Sequence, residues 1–331
     1  MKRHNIKDLQ DSLPTKEDKL ASEVKDLKAS LKQRDQKVQL LEKSLSDSRE
    51  ATLKRIPKAK TRARRKEDWV RVIISDTHGS KVDPSAFSAV LADIKRLDPD
   101  EIIHLGDSID CGGFLAEHHT LGFVAETEYT YEDDVIAANL HFDELQKAAP
   151  KALFHLLEGN HERRVETYCV TKALRNKQDS EFLRRLVSPF TLLKIEERGI
   201  SYYREGEMHR GATVPGWLRL GKCWFVHGIC ASKHAASTTL QKAGGNVVFG
   251  HTHRIDSAHT DMPNVGPVAA WNPGCLCSKQ PLWRHTSPTG WGHGYAVQIV
   301  AKSGEFLHLN VPIIEGKSLL MPLFSTASKT K

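Results

Sequence analysis

Five short apolar runs, each ending at a histidine, aspartate or asparagine beside glycine, set the strongest limit on how this chain can fold. Val70-Arg71-Val72-Ile73-Ile74-Ser75 leads into Asp76-Thr77-His78-Gly79, and Ile102-Ile103-His104-Leu105 into Gly106-Asp107. Leu153-Phe154-His155-Leu156-Leu157 leads into Gly159-Asn160-His161-Glu162, Cys223-Trp224-Phe225-Val226 into His227-Gly228, and Val247-Val248-Phe249 into Gly250-His251-Thr252-His253. Each run has the length and residue types of a buried strand, and segments such as 84–97 and 161–175 between them have helical length and patterning. Polar residues just past the C-terminal ends of strands mark the crevice where α/β sheets bind ligands. The flanking glycines let the backbone turn tightly there.

The side chains at these ends are two Asp, one Asn and five His, with no Cys among them. Carboxylate, amide and imidazole together suit a divalent transition metal such as Mn, Fe or Zn. A pair of such ions about 3.5–4 Å apart needs a bridging carboxylate and several neutral ligands, and it suits in-line displacement at phosphorus.

Taken in order, Asp76-x-His78, Gly106-Asp107, Gly159-Asn160-His161-Glu162, His227-Gly228 and Gly250-His251-x-His253 resemble the five signatures of the calcineurin-like metallophosphoesterases. Asn272-Pro273-Gly274 resembles that family's further turn, although Cys275 stands where Ser is usual. The resemblance covers residues 69–315. It implies an α/β fold, a four-layer α/β/β/α sandwich of two mixed sheets. It also implies two divalent ions, Mn(II) first and Fe or Zn as alternatives. One would be held by Asp76, His78, Asp107 and His253, the other by Asp107, Asn160, His227 and His251, with Asp107 bridging. A metal-bridging hydroxide would attack phosphorus. His161 would serve the leaving group as general acid or hydrogen-bond donor. Arg163 and Arg164 are candidates to clamp substrate phosphate, and His118 and His119, in the insert after Asp107, are candidates for substrate contact.

The N-terminal fifth differs in character. Of 48 Lys and Arg and 41 Asp and Glu, residues 1–68 hold 20 and 12, so the whole excess of positive charge lies there. Val24, Leu31, Val38 and Leu45 recur every seven residues, with Leu20, Leu27 and Leu41 on the companion seam; Arg34 and Ser48 interrupt it. This spacing predicts a helix within residues 1–53 that pairs as a coiled coil, and so a homo-oligomer. Residues 54–68 form a basic linker, in which 54–66 carry eight basic and no acidic residues. Such a run can hold a phosphate backbone by counterion release. Residues 316–331 read as a C-terminal tail.

No apolar run approaches the ~20 residues that span a bilayer, and no apolar stretch follows the basic start. A cytoplasmic chain without membrane contact, its six cysteines reduced and packed as small hydrophobes, is the expectation. The ligand set and the resemblance together imply a binuclear phosphoesterase, and the basic run points to a nucleic-acid or nucleotide phosphodiester as its substrate. The alternatives are a phosphomonoesterase acting on protein or small-molecule phosphate, and a coiled-coil protein that docks on nucleic acid with a silent metal site.

Overall fold

The computed structural model describes residues 68–111, 130–173, 177–281 and 288–320, with helical positions scattered between 24 and 43. The insert holding His118 and His119, the basic run 54–66 and most of the heptad segment lie outside the described residues. Where described, Val24, Leu27 and Leu31 are helical and exposed. Residues 1–55 form one unit and 56–331 another.

In the second unit, β1 (Trp69–Ile74), β2 (Glu101–His104), β3 (Leu153–Leu157) and β4 (Ser201–Tyr203) lie side by side and parallel. β5 (Leu218–Leu220), β6 (Cys223–Val226), β7 (Val247–Phe249), β8 (Ile255–Met262) and β9 (Gly266–Pro273) form a separate sheet in the order β5-β6-β7-β9-β8. β10 (Gly294–Val300) returns to the first sheet, antiparallel to β1, and β11 (Phe306–Ile314) pairs with it as a hairpin. The first sheet extends past 315, because Lys317–Ser318 adds a two-residue strand, β12, against β11. Both sheets are mixed, with seven and five strands.

Period-two burial explains the layers. In β1, Val72 and Ile74 face α1 (Pro84–Leu97) and α2 (Tyr131–Ala148), in a cluster with Val90, Ile94, Phe142 and Leu145. Ile73 faces the other way and joins Ile103, Leu157, Phe225 and Val248 between the sheets. On the far side, Phe249 and Ala270 pack against α6 (Ala235–Ala243). This is the expected four-layer sandwich.

Local chemistry fixes the helix starts. Asp83 accepts from Ser85 N at 3.0 Å and Ala86 N at 2.9 Å, with Pro84 in the first turn, where its missing N–H costs nothing. Thr130 and Asp133 form a reciprocal capping box, and Glu132, Asp133 and Asp134 lie in the first turn of α2. The segment predicted helical over 161–175 is α3 (Asn160–Thr167), followed by a wider-turned stretch over Tyr168–Ala173. Then come α4 (Lys177–Val187) and α5 (Pro189–Leu192).

Candidate metal centre

All eight strand-end residues follow the C-terminal ends of β1, β2 and β3 of the first sheet and of β6 and β7 of the second, six of them in loops and Asn160 and His161 in the first turn of α3. The first sheet carries Asp76, His78, Asp107, Asn160 and His161; the second carries His227, His251 and His253. Donor atoms of Asp76, His78, Asp107 and His253 lie within 4.8 Å of one another, and so do those of Asp107, His227 and His251. Asp107 belongs to both groups. Asn160, at the first turn of α3, meets the second group through Oδ1, 2.9 Å from His227 Nε2.

The loops are tightly wound. Asp76, His78, Asp107, His251 and His253 all have φ between 51° and 70°, a left-handed conformation that costs non-glycine residues about 1–3 kcal/mol each. Backbone hydrogen bonds hold them there: His78 N donates to Asp107 O at 2.9 Å, and Gly292 N to His253 O at 2.9 Å. Two glycines are required by close approach. A Cβ on Gly159 would lie 2.2 Å from Asp107 Oδ1, and one on Gly250 would lie 2.0 Å from Ser75 Oγ.

Electrostatics couple the acids to the imidazoles. Burial opposes ionisation of Asp107, yet His227, His161 and His78 hold its carboxyl well below the usual carboxylate range. Burial likewise opposes charge on His78, but Asp110, Asp107 and Asp76 outweigh it and raise its pKa to about 10. His227 is raised to about 9, against burial, by Asp107 and Asp76. Burial instead drives His161 down to about 4, with His78 and Arg164 adding to the effect.

The donor set fits a pair of divalent cations. His78 Nδ1 lies 2.9 Å from Asp110 Oδ1, so that nitrogen is the donor and Nε2 points inward, 3.1 Å from His253 Nε2. His227 Nδ1 donates to Leu105 O at 3.0 Å, which turns its Nε2 toward Asp107 Oδ2, at 3.2 Å, and Asn160. Both Nε2 atoms thus face Asp107 Oδ2, at 3.8 Å and 3.2 Å, and orienting partners of this kind accompany metal-ligating histidines.

Other residues support the donors, and of these only Glu162 stands in one of the five motifs. Asp110 orients His78, and its backbone carbonyl lies 3.1 Å from His161 Nδ1. Glu162 accepts from Asp107 N at 3.0 Å, Ser108 N at 2.6 Å and Gly159 N at 3.0 Å, clamping the loops after β2 and β3. Cys277 Sγ sits 3.7 Å from His253 Nδ1, and the Trp291 ring lies edge-on to His253 with centroids 4.1 Å apart. The spacing of Asp110 three residues after Asp107 was the only available sign of its role. All six cysteines are free thiols, five of them buried. The two arginines part company: Arg164 reaches His161 Nε2 at 3.2 Å, whereas Arg163 is ion-paired to Glu205.

The family model for calcineurin-like phosphoesterases matches residues 71–255. The Gene 54 protein of Mycobacterium phage D29 is 28% identical over 188 residues, covering 55% of this chain and 68% of that protein. Among solved structures, a single mutant of Vps29 from Entamoeba histolytica aligns over 75% of this chain and 95% of its own, at 11% identity and a TM-score of 0.36. The phosphoesterase Yfce from E. coli aligns over 73% and 98%, at 14% identity and a TM-score of 0.29. The family match spans more than half of the chain and takes in all five strand-end motifs. The chain therefore belongs to the calcineurin-like phosphoesterases, metal-dependent hydrolases of phosphoric esters. No helix among the described residues is long and apolar enough to cross a membrane.

Proposed function

We propose that this chain is a binuclear phosphoesterase whose substrate is a phosphodiester in nucleic acid or a nucleotide. The observation that carries the binuclear reading is the sharing of Asp107 between two donor groups. Asp76, His78, Asp107 and His253 would hold one ion, and Asp107, Asn160, His227 and His251 the other, Mn(II) in the first instance and Fe or Zn otherwise. When bound, such ions supply a nucleophilic water at neutral pH and neutralise charge on the phosphoryl oxygens.

The chain's own residues do the rest. Arg164 turns its guanidinium from His161 to a phosphoryl oxygen, a match of planar fork to phosphate. His161 Nδ1 stays on the Asp110 carbonyl; the charge of a substrate phosphate beside Nε2 would offset the burial that holds the imidazole near 4, so that Nε2 takes up a proton and passes it to the leaving oxygen. Arg163, held by Glu205, takes no part in this reading. His118 and His119 keep their candidacy for substrate contact on sequence grounds alone.

The preference for nucleic acid rests on the basic run 54–66, and homo-oligomerisation on the heptad seam, whose described apolar residues are exposed. The near-neutral charge of residues 69–331 supports the phosphomonoester alternative. The test is hydrolysis in Mn(II) of a bis-aryl phosphate diester, an aryl monoester and single- and double-stranded DNA. The full chain is compared with a full chain in which the eight basic residues of 54–66 are changed to glutamine. DNA cleavage that weakens in the variant, with diester turnover unchanged, is the expected result. Turnover of the monoester alone, indifferent to the substitution, would exclude the nucleic-acid reading.

A further inference from the structure

The proposed metal centre is assembled from two sheets, so its geometry depends on how the sheets are registered against each other. Apolar packing between them, around Ile73, Phe225 and Val248, is not directional. Directional contacts come from a buried polar seam. Arg71 of β1 ion-pairs with Glu101 and donates to Gln298 Oε1 at 3.4 Å. Gln298 Nε2 lies 3.2 Å from His308 Nδ1, and His308 Nε2 lies 2.9 Å from Asn310 Oδ1. An amide nitrogen can only donate and an amide oxygen only accept, so His308 is the neutral tautomer with its proton on Nε2. Burial, which lowers its pKa to about 4, keeps it so.

The relay ends across the interface. Asn310 of β11, in the first sheet, donates from Nδ2 to Asn272 O of β9, in the second, at 3.0 Å. Asn272 in turn donates from its own Nδ2 to Gly250 O at 2.8 Å and Thr252 Oγ1 at 3.0 Å. Those two residues flank His251 in the left-handed loop that ends at His253. The Trp271 ring, stacked on His308 with centroids 4.4 Å apart, sets the same register from the second sheet.

We propose that Asn310 is a positioning residue for the metal centre: from the first sheet it fixes the end of β9, and through Asn272 the His251–His253 loop, against Asp76 and Asp107. The inference rests on the binuclear reading above. Its role is distinct from merely stitching the sheets, because the last bond lands on the residue that holds the loop.

The experiment compares the full chain with Asn310→Leu, which matches the side chain in size and removes its bonds to His308, to Asn272 O and, at 3.5 Å, to Asp256 O of β8. Tyr295→Phe is the control: it deletes another buried bond, from Tyr295 Oη to Asp93 at 2.5 Å, between β10 and α1. Mn(II) stoichiometry and affinity are measured by calorimetry, and the exchange-coupled signal of paired Mn(II) ions by electron paramagnetic resonance. Asn310→Leu is expected to weaken one Mn(II) site about tenfold or more, the range for lost orienting partners, and to diminish the coupled signal. Tyr295→Phe is expected to retain both. Two Mn(II) ions bound to Asn310→Leu within twofold of wild type, with the coupled signal intact, would overturn the inference and leave the binuclear reading standing. A wild-type chain that binds fewer than two ions would overturn both. If Asn310→Leu does not fold, Asn310→Ser, too short to reach Asn272 O, takes its place under the same criteria.

Discussion

Asp107 lies where the two donor groups of the candidate centre meet. It is shared by two donor groups, is held ionised by three imidazoles, and accepts from His161 N at 2.9 Å. Around it, the residues divide by what they touch. His161→Gln should lower kcat about 10²–10⁴-fold, the range for general acid–base groups, while Mn(II) affinity measured by calorimetry stays near wild type. Arg164→Ala should raise KM in steady-state assays, and Arg163→Ala, which breaks only the pair with Glu205, should not. The eight strand-end residues were legible because their types and their places after apolar runs say where they lie. Asp110 and Cys277 were not. Each acts on a neighbour that only folding brings near, as Cys277 does with His253, 24 residues away in sequence.

At the scale of elements, short apolar runs located β1, β2, β3, β6 and β7 to within a residue, and helical patterning located α1 over the whole of its length. The rest is carried by pairing rather than pattern. β8, Ile255-Asp256-Ser257-Ala258-His259-Thr260-Asp261-Met262, has no apolar run; eight register pairs with β9 make it a strand. β4 and β5 are three residues each, too short for periodicity to register. Two predictions belong here. Gly159→Ala should abolish hydrolysis and lower Tm, since the added methyl meets Asp107 Oδ1 at 2.2 Å and neither loop can retreat without losing Glu162. A hydrolysis assay and a thermal melt check it. Asp143→Ala removes the carboxylate partner of Arg198, which is 1% exposed and whose Nη1 donates to Asp143 at 2.5 Å, tying the turn after α5 to α2, and leaves the buried cation only its neutral partners Leu193 O, Gln146 and Asn139. Removing one partner of a buried pair costs about 3–5 kcal/mol, measurable by denaturant unfolding.

For the whole molecule, the pKa pattern of the centre predicts a pH signature. His78 and His227 have folded pKa values of about 10 and about 9, above the ordinary 6.5. In the metal-free chain their contribution to stability is fully present below pH 6.5 and is lost as pH rises through about 9 to 10. Divalent metal binds the deprotonated imidazoles, so its apparent affinity rises over the same window. Thermal melts of the metal-free chain should therefore decline between pH 7 and 10, and Mn(II) should restore the high-pH values. A decline that Mn(II) does not reverse would separate these histidines from metal binding.

The central claim is that one centre, bridged by Asp107, holds two ions and cleaves a phosphoester. The most direct measurement is titration of Mn(II) into the metal-free full chain and into Asp107→Asn, with hydrolysis of a bis-aryl phosphate followed in the same samples. The account predicts two ions per wild-type chain. It also predicts at least one site lost in Asp107→Asn, with turnover reduced by about 10²-fold or more. Wild-type turnover by metal-replete Asp107→Asn, or by the metal-free chain, would contradict it.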